Sequence, residues 1–264
     1  MKSSEKYTLI TGASKGLGRE LAIECARRGN NLILVALPGS GLQEFCCDLH
    51  STYNNRNLCF ECDLTIESEL EDMVTRVLEK YSVDRLINNA GVGGAARFED
   101  ISTAYLDCII RLNIRATTIL TYLLLPELKR HKGALILNIS SVAAFGAMPY
   151  KTIYPASKAF IYSFSRGLNS ELKGSGVRVA VIAPGPFPSN PDVAGRIMNQ
   201  GAIARLGVLK PEEITRQAMK KLDKGRNVII PGIWNKINRV LMHWIPERIR
   251  LSILCGVMAR ELPG

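Results

Sequence analysis

Residues 7–18 read YTLITGASKGLG, a short apolar run, a glycine-rich turn and the first turn of an amphipathic segment. The order decides the fold. An apolar run of four to eight residues fits a strand buried on both faces. Beyond it, Leu21, Ala22 and Cys25 recur at helical spacing within Leu17–Arg28. A strand that turns through glycine into a helix is where a parallel sheet takes a dinucleotide. The helix N-terminus offers unpaired N–H groups and partial positive charge to a pyrophosphate, and glycine lets the backbone approach closely. The spacing here is GxxxGxG, from Gly12 through Gly16 to Gly18. It departs from the GxGxxG of the general fingerprint.

The alternation continues outward from that turn. Asn31–Ala36, Leu58–Cys62, Asp84–Asn88, Ala134–Ile139, Val177–Ala183 and Asn227–Pro231 read as six further strands. Helical patterns separate them at Glu67–Tyr81, Thr103–Leu125, Tyr154–Lys173 and Pro211–Lys224, and Pro126 is expected to end or kink the long one. The strand segments are almost purely apolar, as when helices cover both faces. The expected fold is α/β, a Rossmann-like, doubly wound parallel sheet of seven strands in a single domain. The catalytic unit is expected over 1–232, with a C-terminal amphipathic extension over 233–264.

Bulk properties exclude several classes. The chain has 264 residues, 47 % of them hydrophobic and 22 % charged, a globular balance. Its formal net charge is +10, but the lysines and arginines are spread out with no aromatic-interleaved basic tract, so no nucleic-acid partner is expected. Seven cysteines cannot all pair, and no signal-peptide pattern precedes Tyr7, which predicts a reducing, cytoplasmic setting. The CxxC pair Cys59/Cys62 lacks a second pair at zinc-finger spacing and reads as strand cysteines. The longest uncharged stretch, Gly133–Tyr150, contains Asn138, Ser140, Ser141 and Pro149 and is no membrane span.

The chemistry gathers at the carboxyl ends of the strands. Tyr154 and Lys158 stand at i and i+4, on one face of the helix that Tyr154 opens. A phenol with a pKa near 10 is a poor acid–base at neutral pH. A lysine cation beside it favours the phenolate and makes proton exchange with a carbonyl or alcohol oxygen feasible. Ser141 follows the fifth strand at the same edge, with a hydroxyl able to orient the reacting oxygen. Asn88-Asn89-Ala90-Gly91 ends the fourth strand, Asn113 lies on the long helix, and Pro184-Gly185 follows the sixth strand.

In this combination the chain resembles the classical short-chain dehydrogenase/reductase family. The carriers are TGASKGLG at Thr11–Gly18, Asp63, NNAG at Asn88–Gly91, Asn113, ISS at Ile139–Ser141, YPASK at Tyr154–Lys158 and PG at Pro184–Gly185. They stand in family order over roughly Tyr7–Gly232. The resemblance implies a homodimer or homotetramer that moves a hydride between a nicotinamide cofactor and a small-molecule carbonyl or alcohol. It implies Tyr154 as acid/base, Ser141 on the substrate oxygen, Lys158 on the nicotinamide ribose, and Asn113 on a water beyond Lys158. The cofactor would lie along Gly12, Ser14, Lys15, Gly16, Leu17 and Gly18. Asp63 would meet the adenine, Asn89 the adenosine side and Ser189 the carboxamide, with Leu64, Ala90, Gly91, Pro184 and Gly185 also along the cofactor. Ser189 stands where the family often has threonine. The alternative is a nucleotide-binding scaffold or regulator of the same fold without turnover; loss of Tyr154, Lys158 or Ser141 would favour it, and all three are present.

Two further expectations concern specificity. The second strand runs into Leu37-Pro38-Gly39-Ser40 with no carboxylate before Glu44. The acidic residue that usually binds the ribose 2′-OH of NAD is therefore missing. Lys15 suits a 2′-phosphate, so NADP is expected, with NAD as the alternative. The substrate segments, Val92–Ala96, Val142–Met148 and Phe187–Gly207, are mostly small or apolar and suit a lipophilic ketone. Gly133–Val179 resembles the branch that reduces steroids and 3-oxoacyl thioesters. In the last segment Pro246 divides two amphipathic helices, which pack on the domain, on another subunit or on a membrane surface.

Overall fold

A computed structural model describes residues 5–188, 193, 195 and 207–259. Seven parallel strands form one sheet: β1 (Lys6–Thr11), β2 (Asn31–Ala36), β3 (Asn57–Glu61), β4 (Ser82–Asn88), β5 (Ala134–Ile139), β6 (Val177–Ile182) and β7 (Val228–Ile229). Their spatial order is β3-β2-β1-β4-β5-β6-β7. The chain winds outward from β1 in one direction and from β4 in the other. The β1/β4 boundary is thus the topological switch point, outside whose carboxyl ends ligands bind in such sheets.

Alternate residues of each strand feed the two faces. Ile10, Leu32 and Leu34 pack against α1 (Gly16–Arg27), α2 (Leu42–Tyr53) and a helix at Pro211–Asp223, called α7 below. Leu9, Ile33 and Val35 pack on the other face, against α3 (Glu67–Lys80) and α5 (Thr117–Leu128). Every residue of β5 is buried, which explains its unbroken apolar run.

Three details depart from the sequence expectation. The helix α2 was not anticipated; Leu42, Phe45, Cys46 and Leu49 form its buried stripe. The long helix begins as α4 (Thr103–Ile109), passes through a π-helical segment at Ile110–Ala116 and continues as α5. It runs through Pro126 and stops two residues later, at Leu128. A proline in the last turn forfeits one intrahelical N–H bond, so it shortens this helix without breaking it. Thr103–Leu128 is long and apolar enough to cross a membrane. One face of it packs into the core, with Leu120, Leu124 and Leu128 buried, while Ile110 and Tyr122 are exposed. The last strand is only two residues long.

Helix α6 spans Ile153–Glu171. The C-terminal segment forms α8 (Ile233–Trp244) and α9 (Glu247–Ala259), separated at Pro246 as anticipated. It packs on the domain around the loop after β5. Arg239 lies over the Phe145 ring at 4.6 Å, and Cys255 Sγ is 3.7 Å from the Tyr150 hydroxyl.

Candidate active site

The phosphate turn is built by close approach. Gly12 and Gly16 have φ of +63° and +51°, the left-handed region that favours glycine. A Cβ at Gly18 would stand 2.1 Å from the Gly12 carbonyl oxygen, so α1 can begin only with glycine there. Lys15 is the N-cap of α1 in extended conformation, and no side chain caps the helix. The N–H groups of that first turn are the donors a pyrophosphate would take. The turn therefore fits a dinucleotide on its own geometry.

Asn89 locks the turn to the end of β4. Its Nδ2 donates to the carbonyls of Thr11 (3.0 Å) and Gly12 (3.1 Å). The Thr11 hydroxyl accepts from the N–H groups of Asn89 and Ala90, both at 3.0 Å. Asp63 is likewise engaged in local structure: its Oδ1 accepts from the N–H (2.9 Å) and hydroxyl (2.8 Å) of Thr65 just before α3. Leu64 is buried beside it.

Beneath the site runs a buried polar network. Asn88 Nδ2 donates to Thr121 Oγ1 (3.1 Å) and Asn138 Oδ1 (2.9 Å), and Asn138 Nδ2 donates to Ser165 Oγ (2.9 Å). These bonds tie β4 and β5 to α5 and α6, and fix the helix that carries Tyr154 and Lys158. Ser140 adds a second tie by donating to the Lys158 carbonyl at 2.7 Å.

The reactive groups meet at the end of β5. The Ser141 hydroxyl stands near enough to the Tyr154 phenol to act on it, and Ser141 Oγ accepts from the Ala143 N–H at 3.1 Å. Burial pushes the Tyr154 phenol above its ordinary value, and the Ser141 hydroxyl opposes this. Lys158 is buried, and its ammonium donates to the Ile139 carbonyl at 3.0 Å. Burial pulls its pKa down to about 8. The depression of the phenol expected from Lys158 is thus not present in this arrangement. The ammonium is turned to a backbone carbonyl 5.8 Å from the tyrosine ring centre, and desolvation of the phenol prevails.

Asn113 occupies the π-helical segment and clamps the loop after β4. Its Oδ1 accepts from the Val92 N–H, and its Nδ2 donates to the Val92 carbonyl, both at 2.9 Å. Nδ2 also donates to Ser157 Oγ at 3.0 Å. A Cβ on Gly91 would lie 3.0 Å from Asn113 Oδ1 and 3.2 Å from Lys158 Nζ, so these groups converge on one spot. Val142 N–H donates to the Pro184 carbonyl at 2.9 Å, joining the β5 and β6 loops. Ser189 lies outside the described residues, as does most of Phe187–Gly207.

Two residues of the site, Asn235 and Glu61, were not foreseen, and Gly93 was expected only as part of the substrate segment Val92–Ala96. Gly93 faces the Tyr154 ring, since a Cβ there would stand 2.3 Å from Tyr154 Cδ2. Asn235 of α8 packs against Gly185 and donates to the carbonyls of Gly207 (3.0 Å) and Pro231 (2.9 Å). Glu61, at the end of β3, accepts from the Gly39 N–H at 3.2 Å and brings a carboxylate beside the loop after β2. It arrives from the neighbouring strand, so neither β2 nor the loop after it carries this carboxylate in its own sequence. Among the described residues no cluster could hold a metal ion.

Comparison with known proteins agrees with this architecture. The family described as short chain dehydrogenase matches residues 6–199. The ketoacyl reductase HetN of Nostoc sp. is 27 % identical over 98 % of this chain and 85 % of its own. The bulky-bulky ketone specific alcohol dehydrogenase of Comamonas testosteroni superposes with a TM-score of 0.77 at 30 % identity, covering 93 % of this chain and 96 % of its own. A short-chain dehydrogenase from Sphingobium yanoikuyae, in complex with NADPH, gives 0.78 at 29 % identity over 92 % and 97 %. With its glycine turn, its sheet order and its serine, tyrosine and lysine at one edge, the chain belongs to the short chain dehydrogenase family of NAD(P)-dependent oxidoreductases.

Proposed function

We propose that the chain reduces a lipophilic ketone or 3-oxoacyl compound, through Tyr154, Ser141, Lys158 and Asn113. The observation that carries this is the convergence of the Ser141–Tyr154 pair and the buried Lys158 at the carboxyl edge of β5. When bound, the nicotinamide supplies or accepts the hydride. For reduction, the Ser141 hydroxyl donates to the substrate oxygen and holds it beside the phenol. The carbonyl carbon gains the hydride, the C=O π bond opens, and the Tyr154 O–H gives its proton to the oxygen. The phenolate left behind is reprotonated by way of Lys158, whose pKa of about 8 suits proton exchange near neutrality. Asn113 fixes Val92 and, through Ser157, the turn of α6 that holds Tyr154.

The substrate class is supported by the apolar loop Val142–Met148 and by relatives named for ketoacyl and bulky-ketone substrates. Purified protein, assayed with 3-oxoacyl thioesters, steroids and simple aryl ketones, should consume reduced nicotinamide fastest with the bulky members. No consumption with any of them would instead favour the scaffold reading.

For the cofactor the reading is NADP(H) over NAD(H). Lys15 is exposed in the phosphate turn, and the NADPH complex of the Sphingobium protein is consistent with it. The Glu61 carboxylate opposes the preference and sets its size. A homodimer or homotetramer is the expected assembly, since Ile110 and Tyr122 expose apolar area on the long helix; light scattering of the purified chain checks it.

A further inference from the structure

Among the described residues, Asn235 and Arg239 tie helix α8 to the domain. Asn235 is buried, and Arg239 lies over Phe145 with its Nη2 3.3 Å from the Tyr162 hydroxyl. Ile233, Trp234, Ile237, Val240, Leu241 and Trp244 recur at helical spacing and face solvent, with Trp244 79 % exposed and Ile233 63 %. An apolar stripe of this size with two tryptophans marks an interaction surface.

Charge indicates what covers it. From Lys224 to Pro246 there is no Asp or Glu, while Lys224, Arg226, Lys236 and Arg239 are cationic. A concavity of about 420 Å³ lies between α7 and the start of α8, lined by Lys221, Lys236, Gln217, Glu213 and Trp234 among others. Lys221 and Lys236 both line it, two like charges on one concavity. Lys221 Nζ donates to the Ile230 carbonyl at 3.1 Å. Glu213, the one carboxylate among its described lining residues, accepts from Gln217 Nε2 at 3.0 Å. A two-fold contact of α8 on α8 would bring together two helices that carry Lys236 and Arg239 and no acid. An anionic lipid surface neutralises them and buries the stripe.

We propose that α8 docks the enzyme on an anionic phospholipid bilayer, with the stripe in the headgroup–acyl boundary and headgroup phosphate between Lys221 and Lys236. The packing of Arg239 on Phe145 then sets the loop after β5 beside the lipid, where a lipophilic substrate would be delivered. The contact itself does not depend on turnover.

The test is flotation of the full-length protein with phosphatidylcholine vesicles, with and without phosphatidylglycerol. Recovery should require phosphatidylglycerol and fall with added salt. Lys221→Gln with Lys236→Gln should weaken partition about twenty-five-fold, at about fivefold per cation near an anionic surface. Trp234→Ser with Trp244→Ser should abolish it while far-ultraviolet dichroism and nicotinamide binding stay at wild-type levels. If that pair does not fold, Trp244→Ser alone, at the most exposed position, should still lower recovery. Equal recovery with both vesicle types, or none, overturns the proposal. So does release by inorganic phosphate beyond that by chloride at equal ionic strength, which assigns the lysine pair to free phosphate. Wild-type dimers that become monomers in the tryptophan variants, without vesicle binding, assign the face to a second copy.

Discussion

Lys158→Met should make the protein more stable and less active at once. The ammonium is buried, and desolvation lowers its pKa from 10.5 to about 8. At about 1.4 kcal/mol per pKa unit, keeping it charged at pH 7 costs about 3 kcal/mol. Methionine fills similar space without charge. It forfeits the bond to the Ile139 carbonyl, worth about 1 kcal/mol. The net gain is about 2 kcal/mol, or about 4–8 °C in melting temperature for a domain of this size. The sign of the pH dependence is distinctive. The unfolded lysine holds its proton up to about pH 10.5 and the folded one only to about pH 8. Over that window the unfolded state carries the extra proton, so wild-type stability rises with pH while the variant's does not. The variant's advantage should therefore shrink between pH 8 and pH 10.5. Urea denaturation of both proteins at pH 7 and pH 10 measures it. A variant less stable at pH 7, or an advantage unchanged at pH 10, refutes the burial argument.

Because burial holds the Tyr154 phenol above its ordinary value, alcohol oxidation needs a phenolate that is scarce at neutral pH. Its rate should climb about tenfold per pH unit from pH 7 to pH 9 while ketone reduction, which uses the protonated phenol, does not climb; an oxidation plateau below pH 8 contradicts this. Gly93→Ala puts a methyl group against the Tyr154 ring and should cut kcat about a hundredfold, the usual cost of a 1 Å misplacement, with cofactor affinity little changed; wild-type kcat would remove Gly93 from the site. Lys15→Ala should lower the NADPH/NADH ratio of kcat/KM about tenfold, and Glu61→Gln should raise it, as loss and relief of one charged contact each. A wild-type preference for NADH, or a Lys15→Ala ratio unchanged within about twofold, refutes the cofactor assignment.

The fold was legible because a doubly wound parallel sheet writes itself as apolar runs separated by helical patterns. The turn after β1 and the carboxyl ends of β4, β5 and β6 were legible for the same reason: each motif sits at a strand end, and topology alone brings those ends together. What escaped was set by neighbours distant in sequence. Glu61 reaches Gly39 from β3, Asn235 reaches Gly185 from α8, and Gly93, expected only as part of a substrate segment, meets a ring on α6. The π-helical turn at Asn113 leaves no periodicity signal over one turn. Helix α2 had a signal, the spacing of Leu42, Phe45, Cys46 and Leu49, in a segment whose serine, threonine and cysteines are weak helix formers. The direction of the Tyr154 shift was misjudged because residue spacing gives a lysine's position but not what its ammonium points at.

Tyr154 as the proton donor is the central claim, and Tyr154→Phe tests it most directly. The substitution removes one oxygen and leaves the glycine turn, Lys158 and Asn113 in place. Single-turnover oxidation of bound reduced nicotinamide by a bulky ketone, alongside a fluorescence titration of cofactor binding, separates chemistry from binding. The account predicts a rate about 10²- to 10⁴-fold below wild type with an unchanged cofactor Kd. A variant that keeps more than about a tenth of the wild-type rate, short of any general acid's usual share, would contradict it.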